Sequence, residues 1–208
     1  MGENDELPLG DHWREWTDQA LRHTPAGWTE LVDELTALQD TVATSGPPPQ
    51  TVETVTGLLA RARELLGAHA TTYDRQVFGR LLHLPGRGQS LTPPLHVISW
   101  SGTELVAETV FGAFHSGSNQ VVHGGSVALF LDEALGRVAD LGERVRSRTA
   151  SLRVDYRNPT PIGRPLGVRV TVGETSGRKR NLHAVLTDGP TLCAEAHGLF
   201  VELRPGQR

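Results

Sequence analysis

The 208-residue chain has one cysteine, one methionine, two tyrosines and a single lysine, Lys179, set against nineteen arginines. A lone cysteine, Cys193, excludes an intramolecular disulfide and any cysteine-rich metal site. It sits in a strand-like run and reads as a buried, inert thiol. No apolar run approaches the roughly 20 residues that a membrane-spanning helix needs. There are 20 Lys plus Arg against 24 Asp plus Glu, a formal charge of −4, so no basic footprint points to nucleic acid. The acidic opening MGENDELPLG has no apolar stretch behind it and does not read as a secretory signal. Glu6 stands where a myristoylation site carries Ser or Thr. The nine histidines show no paired ligand spacing, so no metal and no cofactor is expected. These absences describe a soluble, reduced, cytoplasmic protein.

What is present divides the chain in two. Across residues 11–45, Trp28, Leu31, Val32, Leu35, Leu38 and Val42 recur at steps of three and four, the apolar stripe of an amphipathic helix with Thr29 as its cap. Gly46-Pro47-Pro48-Pro49 stops it, because proline supplies no donor and restricts its predecessor. Val52, Val55, Leu58, Leu59, Ala62, Leu65 and Leu66 then repeat the pattern. The expectation is a helical hairpin within an N-terminal extension, 1–90, acting as a cap or an oligomer contact. Lining a ligand pocket is the alternative. From Leu95 the period falls to two. His96–Glu104, Leu105–Phe111, Thr149–Arg157, Leu166–Glu174, Asn181–Thr187 and Thr191–Leu203 read as strands joined by short turns. One helical segment, Gly124 to about Leu141, interrupts them. The fold class is therefore α+β, with an antiparallel sheet in a second domain, 91–208.

That helix carries two stripes. Val127, Leu131, Ala134, Leu135 and Val138 should bury against the sheet. Gly125, Ala128, Asp132, Gly136 and Ala139 form a second stripe, four small residues around one carboxylate. Asp132 should thus face a tight space, while Glu133, about 100° further round, should reach solvent more easily. His123-Gly124-Gly125 opens the helix, where unpaired amides and the helix dipole suit a carbonyl oxygen gaining negative charge.

The run VVHGGSVALFLDEALG resembles the signature helix of hotdog-fold acyl-CoA thioesterases, in the branch similar to the phenylacetate-pathway thioesterases. PPLHVISWSGTELVAETVFG is similar to the family's opening hairpin, TASLRVDYRNPTPIGRPL to the strand and Pro-turn after the helix, and GRKRNLHAVLTDGPTLCAEAHGLFVEL to its closing strands. The resemblance runs from about Pro93 to Glu202. It implies a long central helix wrapped by a curved antiparallel sheet, homodimers or dimers of dimers, and active sites at the dimer boundary. It implies that Asp132 serves as general base or as nucleophile. Gly124, with Gly125, would donate amides to the thioester oxygen. His123 would hold the loop, and Thr149 would position water. On a regular strand Thr149 shares the polar face with Ser151, Arg153, Asp155 and Arg157, so only a strand start or bulge would turn it inward.

Where relatives often carry Asn or Gln, six residues before the signature histidine, this chain has Gly117. Asn119 and Gln120 are near but at another offset; either a shift of the loop brings one of them, Asn119 foremost, to substrate, or this polar contact is absent. Arg178, Lys179 and Arg180 form a basic turn which the resemblance relates to coenzyme A phosphates. The expected activity is hydrolysis of acyl-CoA to a free acid and coenzyme A. The alternatives are a non-catalytic acyl-CoA binding protein and a hotdog enoyl-thioester hydratase.

Overall fold

The computed structural model describes residues 10–141, 144–204 and 206–207; the acidic opening read above, residues 1–9, lies outside them. Three helices come first: α1 (Asp11–Leu21), α2 (Trp28–Thr44) and α3 (Pro49–Gly67). α1 was not expected, although Trp13, Trp16, Thr17 and Ala20 recur at helical steps; Thr17 and Ala20 are its buried positions. α2 begins one residue before Thr29, because Gly27 adopts a left-handed φ of 81° and caps it instead. Pro49 occupies the first position of α3, where its missing N–H costs nothing. Both helices form where the apolar stripes place them, but α3 buries no residue and α2 buries only Val32, so the two do not close on a core of their own.

Six strands follow, β1 (His96–Trp100), β2 (Glu104–Thr109), β3 (Ser147–Tyr156), β4 (Leu166–Ser176), β5 (Lys179–Asp188) and β6 (Thr191–Glu202), with α4 (Gly124–Ala139) between β2 and β3. They make one antiparallel sheet in the order β1-β2-β4-β5-β6-β3. The long helix lies against this sheet in the arrangement of the hotdog fold. All five residues of the first α4 stripe are buried, joined by Phe130. They meet alternate residues of the strands: Leu105 and Ala107, Val168 and Val170, Leu182 and Ala184, Ala194 and Ala196. Gly198 lets α4 sit close, since a Cβ there would fall 2.8 Å from Phe200 Cε2 and 3.0 Å from Leu135 Cδ1.

A smaller core of Ala20, Val77 and Leu81, flanked by Trp28 and Leu84, holds α1 and the segment after α3. None of the described helices is long and apolar enough to cross a membrane.

Candidate active site

Asp132 is half-buried midway along α4, and its Oδ1 accepts a hydrogen bond from Thr149 Oγ1 at 3.0 Å. Local strand geometry makes that contact. Thr149 pairs with Phe200 and Ser151 with Leu199, so Ala150 is the extra residue of a bulge. The bulge reverses the side-chain alternation and turns Thr149 toward the helix. Among the described residues no donor reaches Asp132 Oδ2. Two cavities meet at this carboxylate. One, of about 150 Å³, is bounded by Gly136, Ser147, Arg148 and Thr149. The other, of about 320 Å³, is bounded by Trp16, Tyr73, Phe78, Leu91 and Leu129.

Glu133 does not reach for solvent as its helical position suggests. Arg87 donates to its Oε2 at 2.6 Å and Arg137 Nε lies 3.2 Å from its Oε1. Burial pulls the Arg137 guanidinium down to about 10, against the opposing pull of Glu133. It remains charged near neutral pH, and the three groups tie α4 to residues 79–87.

The helix start forms a separate locus. His123 caps α4, its Nδ1 accepting the Gly125 N–H at 2.9 Å. Gly125 therefore spends its amide on the histidine, contrary to the expected pair of free donors, while Gly124 N–H has no acceptor among the described residues. Gly124 C=O accepts the Tyr156 hydroxyl at 2.8 Å. His123 and Gly124 line a third cavity, of about 400 Å³, with Tyr156, Asn158 and Thr160. Gly124 and Asp132 are eight residues apart, about 12 Å along the axis at ~1.5 Å per residue. One carbonyl cannot touch both within a single chain.

Asn119 and Gln120 lie exposed on a tight turn with φ of 57° and 58°, and neither lines a cavity beside Asp132 or His123. Arg178 and Lys179 are exposed, with Arg178 donating to Glu202 C=O at 2.8 Å. Arg180, expected beside them at the basic turn, is instead buried. Only 3 % exposed, it donates to Ala139 C=O at 2.6 Å, Asp140 Oδ1 at 3.3 Å and Val145 C=O at 3.0 Å, and it pairs with Glu202. Both terminal nitrogens are thus committed inside the protein, away from any ligand phosphate. The signal was present in the sequence: Arg180 shares strand parity with Leu182, Ala184 and Leu186, all buried.

Register also brings together histidines that look scattered. His183 and His197 are cross-strand partners whose rings stack at 4.5 Å, with Glu195 Oε2 3.4 Å from His183 Nε2. Arg157 already donates to Glu195 Oε1 at 2.8 Å, and this bond holds the carboxyl below its usual range. Burial pushes the Cys193 thiol up, away from nucleophilic use.

A helix wrapped by a six-stranded antiparallel sheet, with a half-buried carboxylate hydrogen-bonded to a strand hydroxyl, is the architecture of a hotdog domain. Residues 119–194 match the model of the thioesterase superfamily. It is 32% identical to the acyl-coenzyme A thioesterase THEM4 of Bos taurus over 96 residues, 45% of this chain and 39% of that protein. With the acyl-coenzyme A thioesterase THEM5 of Mus musculus it shares 27% identity over 136 residues, 63% of this chain and 52% of the relative. The chain thus spans about half, or less, of the length of these curated relatives. A crystallised thioesterase superfamily protein superposes with a TM-score of 0.73 at 24% identity, over 86% of this chain and 97% of that one. So broad a coverage takes in part of the N-terminal helices, and the likeness is one of fold.

Proposed function

We propose that residues 91–208 form an acyl-CoA thioesterase domain, with residues 1–90 as its N-terminal extension, and that Asp132 carries the chemistry. The Asp132–Thr149 pair supports this reading most directly. Thr149 donates to one carboxylate oxygen and so fixes the plane of the other. The second oxygen then takes a proton from water as the hydroxide adds to the thioester carbon, or attacks that carbon itself. In the first case the C–S bond breaks and coenzyme A leaves as a thiolate that acquires the proton taken by Asp132. In the second the C–S bond breaks to leave a mixed anhydride on Asp132, which water hydrolyses to the free acid, restoring the carboxylate and supplying the thiolate's proton.

The developing oxyanion needs a donor, and the free Gly124 amide at the positive end of α4 is suited to the task. Its separation from Asp132 along the helix requires the amide of one chain to serve the carboxylate of another. A homodimer or dimer of dimers meets that need, and β3, the sheet edge that carries Thr149, offers unpaired backbone for it. Arg178 and Lys179 would meet coenzyme A phosphates at the rim. The test is thiol release from a panel of acyl-CoAs alongside size measurement in solution. Turnover by a dimer or larger assembly is expected. Tight binding without thiol release would replace hydrolysis with an acyl-CoA binding role.

A further inference from the structure

The 320 Å³ cavity beside Asp132 owes nothing to the sheet: its walls come from α1, residues 73–92 and α4. At its opening Tyr73, Phe78, Leu91 and Leu129 are 63%, 49%, 58% and 36% exposed. Scattered singly, exposed apolar side chains carry no message; gathered round one cavity, they mark a binding surface.

Three arginines hold this wall in place. Arg80, 2% exposed, donates to the carbonyls of Tyr73, Asp74 and Gln76 at 3.1 Å each, and across to Trp16 C=O at 3.2 Å. Its guanidinium lies 5.0 Å from the Trp16 ring and 5.6 Å from the Tyr73 ring. Arg87 joins Gly79 C=O at 2.8 Å to Glu133, and Arg137 holds Leu82 C=O at 2.8 Å. A segment pinned this densely is a preformed surface, not a loose tether.

We infer that Trp16 and residues 73–91 form the acyl-binding wall of the Asp132 site, and that it takes a compact apolar acyl group, aryl or medium-chain. The volume lies at the low end of the roughly 300–1,000 Å³ of small-molecule sites. Arg87 and Glu133 also line the cavity, and a long chain pressed further would meet their charges. This inference rests on the hydrolase reading for its substrate, and it places the choice of acyl group outside the segment that matches the superfamily.

Thiol release from benzoyl-, hexanoyl- and palmitoyl-CoA, with calorimetric binding of the non-hydrolysable hexyl-CoA thioether, tests it in the full chain. Benzoyl- or hexanoyl-CoA should exceed palmitoyl-CoA in kcat/KM by about tenfold or more. Phe78→Ala should lower kcat/KM for the preferred substrate about tenfold, chiefly through KM, and weaken the thioether similarly. Leu91→Trp, which fills the opening instead of emptying it, should do the same; both sites are exposed, and circular dichroism checks the fold. Turnover indifferent to both substitutions, or a preference for palmitoyl-CoA, overturns the wall and leaves hydrolysis standing. Thioether binding that both variants weaken, without thiol release from any substrate, keeps the wall and overturns hydrolysis. Neither release nor binding overturns both.

Discussion

Arg180→Met separates a structural arginine from a ligand-binding one. Methionine keeps most of the side-chain length but removes the charge and every donor. Asp140, itself 3% exposed, would keep the Ser147 N–H at 3.0 Å, the Ser147 hydroxyl at 2.6 Å and the Trp13 indole at 3.1 Å, but lose its cationic partner. The carbonyls of Ala139 and Val145 would each lose a donor. Removing one member of a buried ion pair costs about 3–5 kcal/mol. Because Asp140 retains three donors, the lower end applies. In a chain of this size each kcal/mol moves the melting midpoint by about 2–4 °C, so a loss of about 3 kcal/mol lowers it by about 6–12 °C. Thermal denaturation followed by circular dichroism measures this, with Lys179→Met as the exposed neighbour that should change stability by less than about 0.5 kcal/mol. The reasoning fails if Arg180→Met melts like the parent while its KM for acyl-CoA rises sharply.

On the proposed mechanism Thr149 positions Asp132, so Thr149→Ala should lower kcat about tenfold, the scale of one lost hydrogen bond to a charged group, with little change in KM. Thr149→Ser should restore most of the rate, and loss of KM alone would contradict the role. Desolvation holds the imidazoles of His115 and His12 below the usual histidine range. The unfolded chain therefore binds their protons first, so stability is level above about pH 6.5 and falls as pH drops below it. The melting midpoint should fall between pH 7 and pH 5, and His115→Leu should reduce that fall; an unchanged fall would exclude His115. Gly198→Ala forces a methyl against Phe200 and Leu135 and should cost about 1–3 kcal/mol in urea denaturation.

Much of this fold can be read from apolar spacing. The period of two from His96 onward marks all six strands, and the stripe Val127–Val138 marks the helix they enclose, because burial on one face writes alternation into a strand and a three-to-four step into a helix. The site is less legible. Parity places Thr149 on the outer face, and only the bulge at Ala150 reverses it; a bulge leaves no compositional trace. His183, Glu195 and His197 meet through cross-strand register, which chain spacing does not display. The walls beside Asp132 escape notice for a third reason. Trp16 and Phe78 are far from it in sequence, and the arginines that bring them there read as surface charge until their acceptors are seen. Arg180 is legible by contrast, since Leu182, Ala184 and Leu186 share its parity and are apolar.

Asp132→Asn tests the central claim most directly. The substitution keeps the shape and the ability to accept the Thr149 hydroxyl, but removes the charge to which the proposal assigns deprotonation of water or attack on the thioester. Steady-state thiol release by the purified variant should fall at least a hundredfold, the scale of general acid–base catalysis, with an unchanged melting midpoint. Hydrolysis within a few-fold of the parent would contradict the account.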